Sequence, residues 1–344
     1  MTDLHVGRHD LDHHGDAELA PGLLDLAVNV RAGTPPDWLR DRLRAAVDDV
    51  AAYPTDAGAR AAVARRHGRS PDEVLITAGA AEAFVLIARA LRPRHAVVVH
   101  PSFTSPEVAL RHAGARVHRL LLPPPYLLEL GEVPGDADLV VVGNPTNPTG
   151  VLHPRRAVAA LLRRNRTVVV DEAFMDFAAG GTESMTSNRE AVVVRSLTKM
   201  WGLAGLRVGY LLGPPRLVAR LAAVRPPWPT SSLAAVAVEA CLSADAVRES
   251  ELAARDVAEQ AAIYTGELAR IPGVVIWPTA ANFVLVQTPG RADLHGALRA
   301  KGFAVRRCDT FPGLGPDYLR VAVRDHNTNS GFAAALADLM GHPA

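Results

Sequence analysis

Five short apolar runs constrain this chain more than any other feature: VLIT (74–77), AVVV (96–99), LVVV (139–142), TVVV (167–170) and AVVV (191–194). Each is rich in β-branched residues and has no polar face, so as a strand it must be buried on both sides. Segments of helical character fall between them. That alternation predicts an α/β fold, a mainly parallel sheet lying between two layers of helices. In such sheets, function gathers at the carboxyl ends of the strands. The residues at or just past those ends are Gly79, Phe103, Asn147, Asp171 and Lys199. Their coincidence is far more specific than any one of them.

After Tyr210 the pattern changes. Helices are expected over 215–224, 231–242 and 246–270. Short strands (VVIW, NFVLVQ, FAVRR, YLRVAVR) then alternate with helices near 291–299 and 329–340. This predicts a second, smaller α+β unit. We place the large domain at 45–225, and a small domain with an N-terminal arm at 1–44 and 226–344. The 344 residues suffice for one large domain and one smaller one. Within the arm, LDLAVNV (24–30) reads as a strand ending at Asn29. A helix is expected from about 155 to 164.

The formal net charge is +1, which gives no electrostatic reason to expect nucleic acid or an acidic membrane as a partner. Two cysteines, Cys241 and Cys308, fit a reducing compartment. The polar N-terminus lacks an apolar leader, and no stretch approaches the ~18 uninterrupted apolar residues of a membrane span. A cytoplasmic protein is expected. His5, His9, His13 and His14 invite a metal reading, but no cysteine or carboxylate cluster joins them at ligand spacing. We expect a solvated or partner-contacting arm and no metal.

The stretch SLTKMWGLAGLRVGY (196–210) places Lys199 just after Ser196 and Thr198, with Arg207 following. An amine at a strand end beside hydroxyls and a guanidinium suits a Schiff base with an aldehyde cofactor whose phosphate is gripped nearby. Asp171 ends a buried strand, so its carboxylate needs a cation or hydrogen bonds. A protonated pyridine nitrogen would serve, as would a helix cap or an arginine. Asn147 could bond a ring oxygen or be turn chemistry alone. Phe103 could stack on a ring or be a core aromatic. Arg320, alternating with apolar neighbours in YLRVAVR, could grip a substrate carboxylate or pair at the surface. TAGAAEAF (77–84) puts a small-residue turn before a helix, whose N–H groups make a ready anion site.

Taken together, NPTNPTG, VVVDEAF and SLTKMWGLAGLRVGY resemble the class I/II aminotransferases, fold type I of the pyridoxal 5′-phosphate (PLP) enzymes. The resemblance runs from about Leu24 to Met340. It implies that Lys199 bonds the cofactor and later moves protons, that Asp171 pairs with the pyridine nitrogen, and that Asn147 bonds the phenolic oxygen. Phe103 would stack on the ring. The N–H groups of Ala80 and Ala81, with Ser196, Thr198 and Arg207, would hold the phosphate. Arg320 would hold a substrate carboxylate. Tyr53 matches a tyrosine that reaches the phosphate from the neighbouring subunit, which implies a homodimer. Many aminotransferases carry a tyrosine three residues after the aspartate; here that position is Phe174.

Two branches of the family are similar to this chain. HHGDAELAPGLLDLAVNV and VRRCDTFPGLGPDYLRVAVR look like the L-threonine-O-3-phosphate decarboxylases of cobalamin biosynthesis, and that branch is the first expectation. It implies that Arg306 and Arg320 share the anionic ends of a small phosphorylated substrate, with His14 and Asn29 nearby. The strand end LAVNVRAG departs from that branch's usual Asn-Pro-Leu-Gly. Histidinol-phosphate aminotransferases of histidine biosynthesis are the alternative. PLP-binding regulator modules are normally fused to a DNA-binding segment, and no basic recognition helix is evident here.

Overall fold

A computed structural model describes residues 10–129 and 133–341. His5 and His9 lie outside them. The five apolar runs and the strand expected from RVHRLLL (116–122), joined by Gly209–Leu212, build one seven-stranded sheet, in the spatial order Val74–Thr77, Gly209–Leu212, Val192–Ser196, Thr167–Asp171, Leu139–Gly143, His95–His100, Arg116–Leu121. The parallel pairs are in register, with Val140 opposite Val168 and Val169 opposite Val192. Side chains alternate between the two faces as the pleat requires. Val140, Val142, Val168, Val170 and Val193 enter one apolar core with Leu39, Val63 and Val238. Leu139, Val141, Val169, Val192 and Val194 enter another with Phe84, Ile87 and Leu221. Both faces are therefore covered by helices, as strands without a polar face demand.

One strand was missing from the sequence reading. Gly209–Leu212 lies antiparallel between its two neighbours, so the sheet is mixed. Its glycine is structural: a Cβ at Gly209 would sit 2.6 Å from the Arg195 carbonyl oxygen. A four-residue strand that merges into the lysine motif carries no period of its own to read.

The C-terminal part forms a four-stranded antiparallel sheet ordered Arg306–Arg307, Tyr318–Ala322, Phe283–Gln287, Val275–Ile276. It packs with Leu26, Tyr264, Leu268, Phe332 and Leu336 into a separate core. FAVRR divides between two sheets. Phe303–Ala304 pairs in parallel with Leu24–Asp25, while Arg306–Arg307 joins Tyr318–Ala322.

The expected strand over 24–30 stops at Asp25. The Asp25 carboxylate accepts the N–H groups of Ala27 and Val28, both at 2.9 Å, which turns the chain. The carbonyls beyond it bond arginines: Arg324 donates to Val28 at 2.7 Å and to Val30 at 3.1 Å. The helix expected over 155–164 is only Arg155–Ala159. Among the described residues no helix is long and apolar enough to cross a membrane.

Candidate active site

The strand ends converge on a cavity of about 470 Å³. It is lined by Ala80, Ala81, Phe103, Asn147, Asp171, Ser196, Thr198, Lys199 and Arg207 from the large sheet, and by His14, Asn29, Arg306 and Arg320 from the arm and the small sheet. Tyr53 is the one predicted residue not brought there. It is 77% exposed and stacks on Trp228, with ring centres 4.3 Å apart.

Strand alternation explains what faces the cavity. Ser196 points in, while Arg195 points away to bond Glu172 at 2.9 Å and Asp176 at 2.6 Å. Asp171 likewise points in and Glu172 does not. Past the strand the Ser196 and Thr198 hydroxyls meet at 2.7 Å, and the Thr198 N–H donates to Ser196 Oγ at 3.2 Å. Arg207 takes a left-handed backbone (φ 54°) and donates to the Ala204 carbonyl at 2.9 Å. Gly79 (φ 78°) opens the helix Gly79–Leu91, and a Cβ there would lie 3.1 Å from Arg207 Nη2. The glycine lets helix N-terminus, guanidinium and hydroxyls form one cup, with donors suited to a phosphate.

Lys199 is half-buried and lines the same cavity as the cup. Burial first, then the Arg320 and Arg207 charges, lower its amine to about 8. The backbone around it is held from the arm: the Arg31 N–H donates to the Lys199 carbonyl at 2.9 Å and Arg31 Nε to Met200 O at 3.0 Å. Burial pushes the Asp171 carboxyl up to about 6, opposed by the Ala173 N–H and Lys199. That N–H, at 3.1 Å, is the only hydrogen bond to the Asp171 carboxylate among the described residues. A half-buried carboxylate so thinly partnered fits a cationic ring nitrogen. Phe174 is buried edge-on against Phe283, with ring centres 5.0 Å apart, and Lys199 Nζ lies 5.9 Å from the Phe174 ring centre.

The other wall is cationic. Arg320 is buried among neutral partners. Nη1 donates to Asn147 Oδ1 at 2.6 Å, and Nη2 donates to the Ala27 carbonyl. Asn29, oriented with its oxygen inward, accepts from Nε at 3.2 Å and Nη1 at 3.0 Å. Among the described residues no carboxylate lies within ion-pair distance of Arg320. Burial and then the Arg306 charge lower its guanidinium pKa. Arg306 donates to the carbonyls of Arg307 and His13 and to Thr310 Oγ1, at 2.6, 2.7 and 2.7 Å. The Arg320–Asn147 bond was not expected; the sequence reading assigned these two residues to separate ligand groups.

The arm closes the cavity. Thr104 Oγ1 donates to the Leu11 carbonyl at 2.6 Å, and the His14 and Phe103 ring centres lie 5.6 Å apart. Burial, then the Arg306 charge, lowers the His14 pKa. Burial would raise the Glu18 carboxyl, but hydrogen bonds from His295 and His13 prevail and hold it at about 2. Gly15 and Asp16 also line the cavity and were missed by the sequence reading. A signal for Gly15 exists only in three dimensions: a Cβ there would lie 2.6 Å from the Ala27 carbonyl oxygen.

Residues 18–336 match the model of the class I and II aminotransferases. The chain belongs to that family. Class I and II aminotransferases are PLP-dependent, and so is this enzyme. The cup, the thinly partnered carboxylate and the amine fit the groups of PLP: phosphate, ring nitrogen and aldehyde. Among relatives, a histidinol-phosphate aminotransferase of Mycobacterium tuberculosis is 48% identical over 325 residues, covering 91% of this chain and 86% of that protein. The threonine-phosphate decarboxylase of Salmonella typhimurium is 30% identical over 335 residues, covering 92% and 91%. The crystal structure of the histidinol-phosphate aminotransferase from Clostridium acetobutylicum superimposes with a TM-score of 0.84 at 23% identity, covering 93% of this chain and 99% of that one. That likeness shows the fold type I architecture.

Proposed function

We propose that this class I/II aminotransferase takes the amino group from a small phosphorylated amine, acting as a histidinol-phosphate aminotransferase. The observation that carries the reading is the 48% identity to the mycobacterial aminotransferase, over 91% of the chain. The decarboxylase relative stands at 30%. The two terminal stretches put the decarboxylase first; the relatives reverse that order.

The cavity suits an anionic substrate. Arg306 and Arg320 are buried guanidiniums 2% and 6% exposed, and a phosphate or carboxylate between them would supply the counter-charge that Arg320 lacks. Asn147 and Asn29, bonded to Arg320 already, would fix its plane.

Bound PLP supplies an aldehyde that condenses with amines and a ring that accepts electrons from Cα. The residues that would hold it are Ala80, Ala81, Ser196, Thr198 and Arg207 at the phosphate, Asp171 at the ring nitrogen, Asn147 at the ring oxygen and Phe103 against the ring face. Lys199 would carry the proton. Its amine, lowered to about 8, is neutral in roughly a tenth of molecules at pH 7, far more than an ordinary lysine, and that neutral form can act as a base toward a Cα proton. The arm and Phe174 would keep water from that amine. Tyr53 and Trp228, 77% and 57% exposed, support a homodimer in which Tyr53 serves the neighbouring site.

One observation favours the decarboxylase as a second reading: Phe174 offers no hydroxyl beside Asn147. The test runs both reactions on the PLP-loaded enzyme. Histidinol phosphate with 2-oxoglutarate is expected to give stoichiometric glutamate. Release of CO₂ from threonine phosphate without a keto acid, and no glutamate in the first assay, overturns the proposal.

A further inference from the structure

The cup is held from behind by a pair of residues that do not line the cavity. Helix Gly79–Leu91 begins at Ala78, which has no side-chain oxygen to serve as a cap. Glu82 supplies the missing acceptor: its Oε2 takes the Ala78 N–H at 2.6 Å. Arg225, which is 143 residues away in sequence, then clamps that carboxylate with both arms of its fork, Nε to Oε1 at 3.1 Å and Nη2 to Oε2 at 3.0 Å. Its remaining nitrogen, Nη1, donates to the Ile76 carbonyl at 2.9 Å, on the strand that leads into the cup. The Arg225 side chain is 4% exposed and that of Glu82 22%. One guanidinium thus fixes both the strand and the helix on either side of the turn 77–79.

The charges are as informative as the contacts. Glu82 lies in the first turn of a helix whose N-terminus faces the anion site, so its carboxylate would repel a phosphate dianion close by. Without its partner, the residue that orders the turn would also weaken what the turn binds. Arg225 removes that conflict.

We propose that Arg225 and Glu82 are positioning residues for the PLP phosphate: Glu82 orders the Ala78–Ala81 turn, and Arg225 cancels the charge that Glu82 brings. The assignment depends on PLP binding alone and is independent of the substrate.

The test compares PLP with pyridoxal, which has the same ring and aldehyde but no phosphate. Each is titrated into apoenzyme and followed by quenching of tryptophan fluorescence. In Arg225→Gln the preference for PLP over pyridoxal is expected to fall roughly tenfold, with pyridoxal affinity within about twofold of the parent. Arg225→Gln/Glu82→Gln should regain most of the preference, because the unpaired charge is gone while an amide oxygen still accepts the Ala78 N–H. Equal weakening of both ligands, or a double variant no better than the single one, overturns the proposal. If Arg225→Gln does not fold, Arg225→Gln/Glu82→Ala reads the same ratio with no unpaired charge and no acceptor for the Ala78 N–H: a fall in the preference supports the assignment, and an unchanged ratio overturns it.

Discussion

The two walls of the cavity are built differently. The wall proposed to hold the cofactor comes from consecutive strand ends of one sheet, and each residue leaves its strand within a few positions of the last ladder pair. Asp171 is itself in the ladder, opposite Val194 and Gly143. The wall proposed to hold the substrate is assembled from three remote stretches: the arm around 13–16, the bend Ala27–Asn29, and strands carrying Arg306 and Arg320. The cofactor wall leaves its groups underpartnered, with a carboxylate holding one N–H and an amine among cations. On the substrate wall Arg320 is hydrogen-bonded on every side, to Ala27 and Asn29 of its own wall and to Asn147 of the other. A permanent cofactor can complete an unfinished site. A substrate that comes and goes needs a wall that is stable without it.

The largest effect that can break this contrast lies on the cofactor wall. Lys199→Ala should lower turnover by at least about 10³-fold, because it removes both the covalent anchor and the proton carrier. It should also abolish the visible absorbance near ~420 nm that a lysine-bound aldehyde cofactor gives. Turnover within tenfold of the parent would show that another group performs the chemistry.

On the substrate wall the expected losses are smaller and appear in KM. Arg320→Lys keeps the charge but loses the fork that reaches Asn147, Asn29 and Ala27, so KM for the phosphorylated amine should rise roughly tenfold to a hundredfold. The visible spectrum should be little changed. Arg306→Lys should act in the same direction. A variant that lost cofactor absorbance as fully as Lys199→Ala would show that the two walls are not separable.

Legibility followed the same division. The cofactor wall was readable because local rules govern it: an apolar run predicts a buried strand, and a polar residue at its end must face a cleft. Asp171, Lys199 and Gly79 were all accessible that way. Arg306 and Arg320 came from resemblance and alternation, and their mutual relation with Asn147 and His13 did not come at all. Contacts spanning 173 and 293 residues leave no period in the sequence. Gly15 and Asp16 were missed for the same reason. The strand Gly209–Leu212 was missed because its antiparallel pairing depends on the two strands it separates. Arg225 falls just past the helix expected over 215–224, and nothing local joins it to Glu82.

The walls meet at Lys199, and pH offers the subtlest test of how they do so. Burial, Arg320 and Arg207 lower the amine to about 8, so one cation from each wall acts on it. Only the neutral amine attacks an aldehyde, so uptake of PLP by apoenzyme should accelerate as pH rises through about 8. Between pH 7 and pH 9 the neutral fraction grows about tenfold, which sets the size of the effect. An ordinary lysine would place that rise near ~10.4. Linkage gives the matching sign for stability: between the folded value and the unfolded one the unfolded chain binds the extra proton. The apoprotein should therefore gain stability as pH climbs through that window, and show no such gain in Lys199→Ala. Arg320→Gln should move the uptake midpoint upward by removing a cation, although the substitution lies on the substrate wall. A midpoint unmoved by Arg320→Gln but shifted by Arg207→Gln would confine control of the amine to the cofactor wall alone.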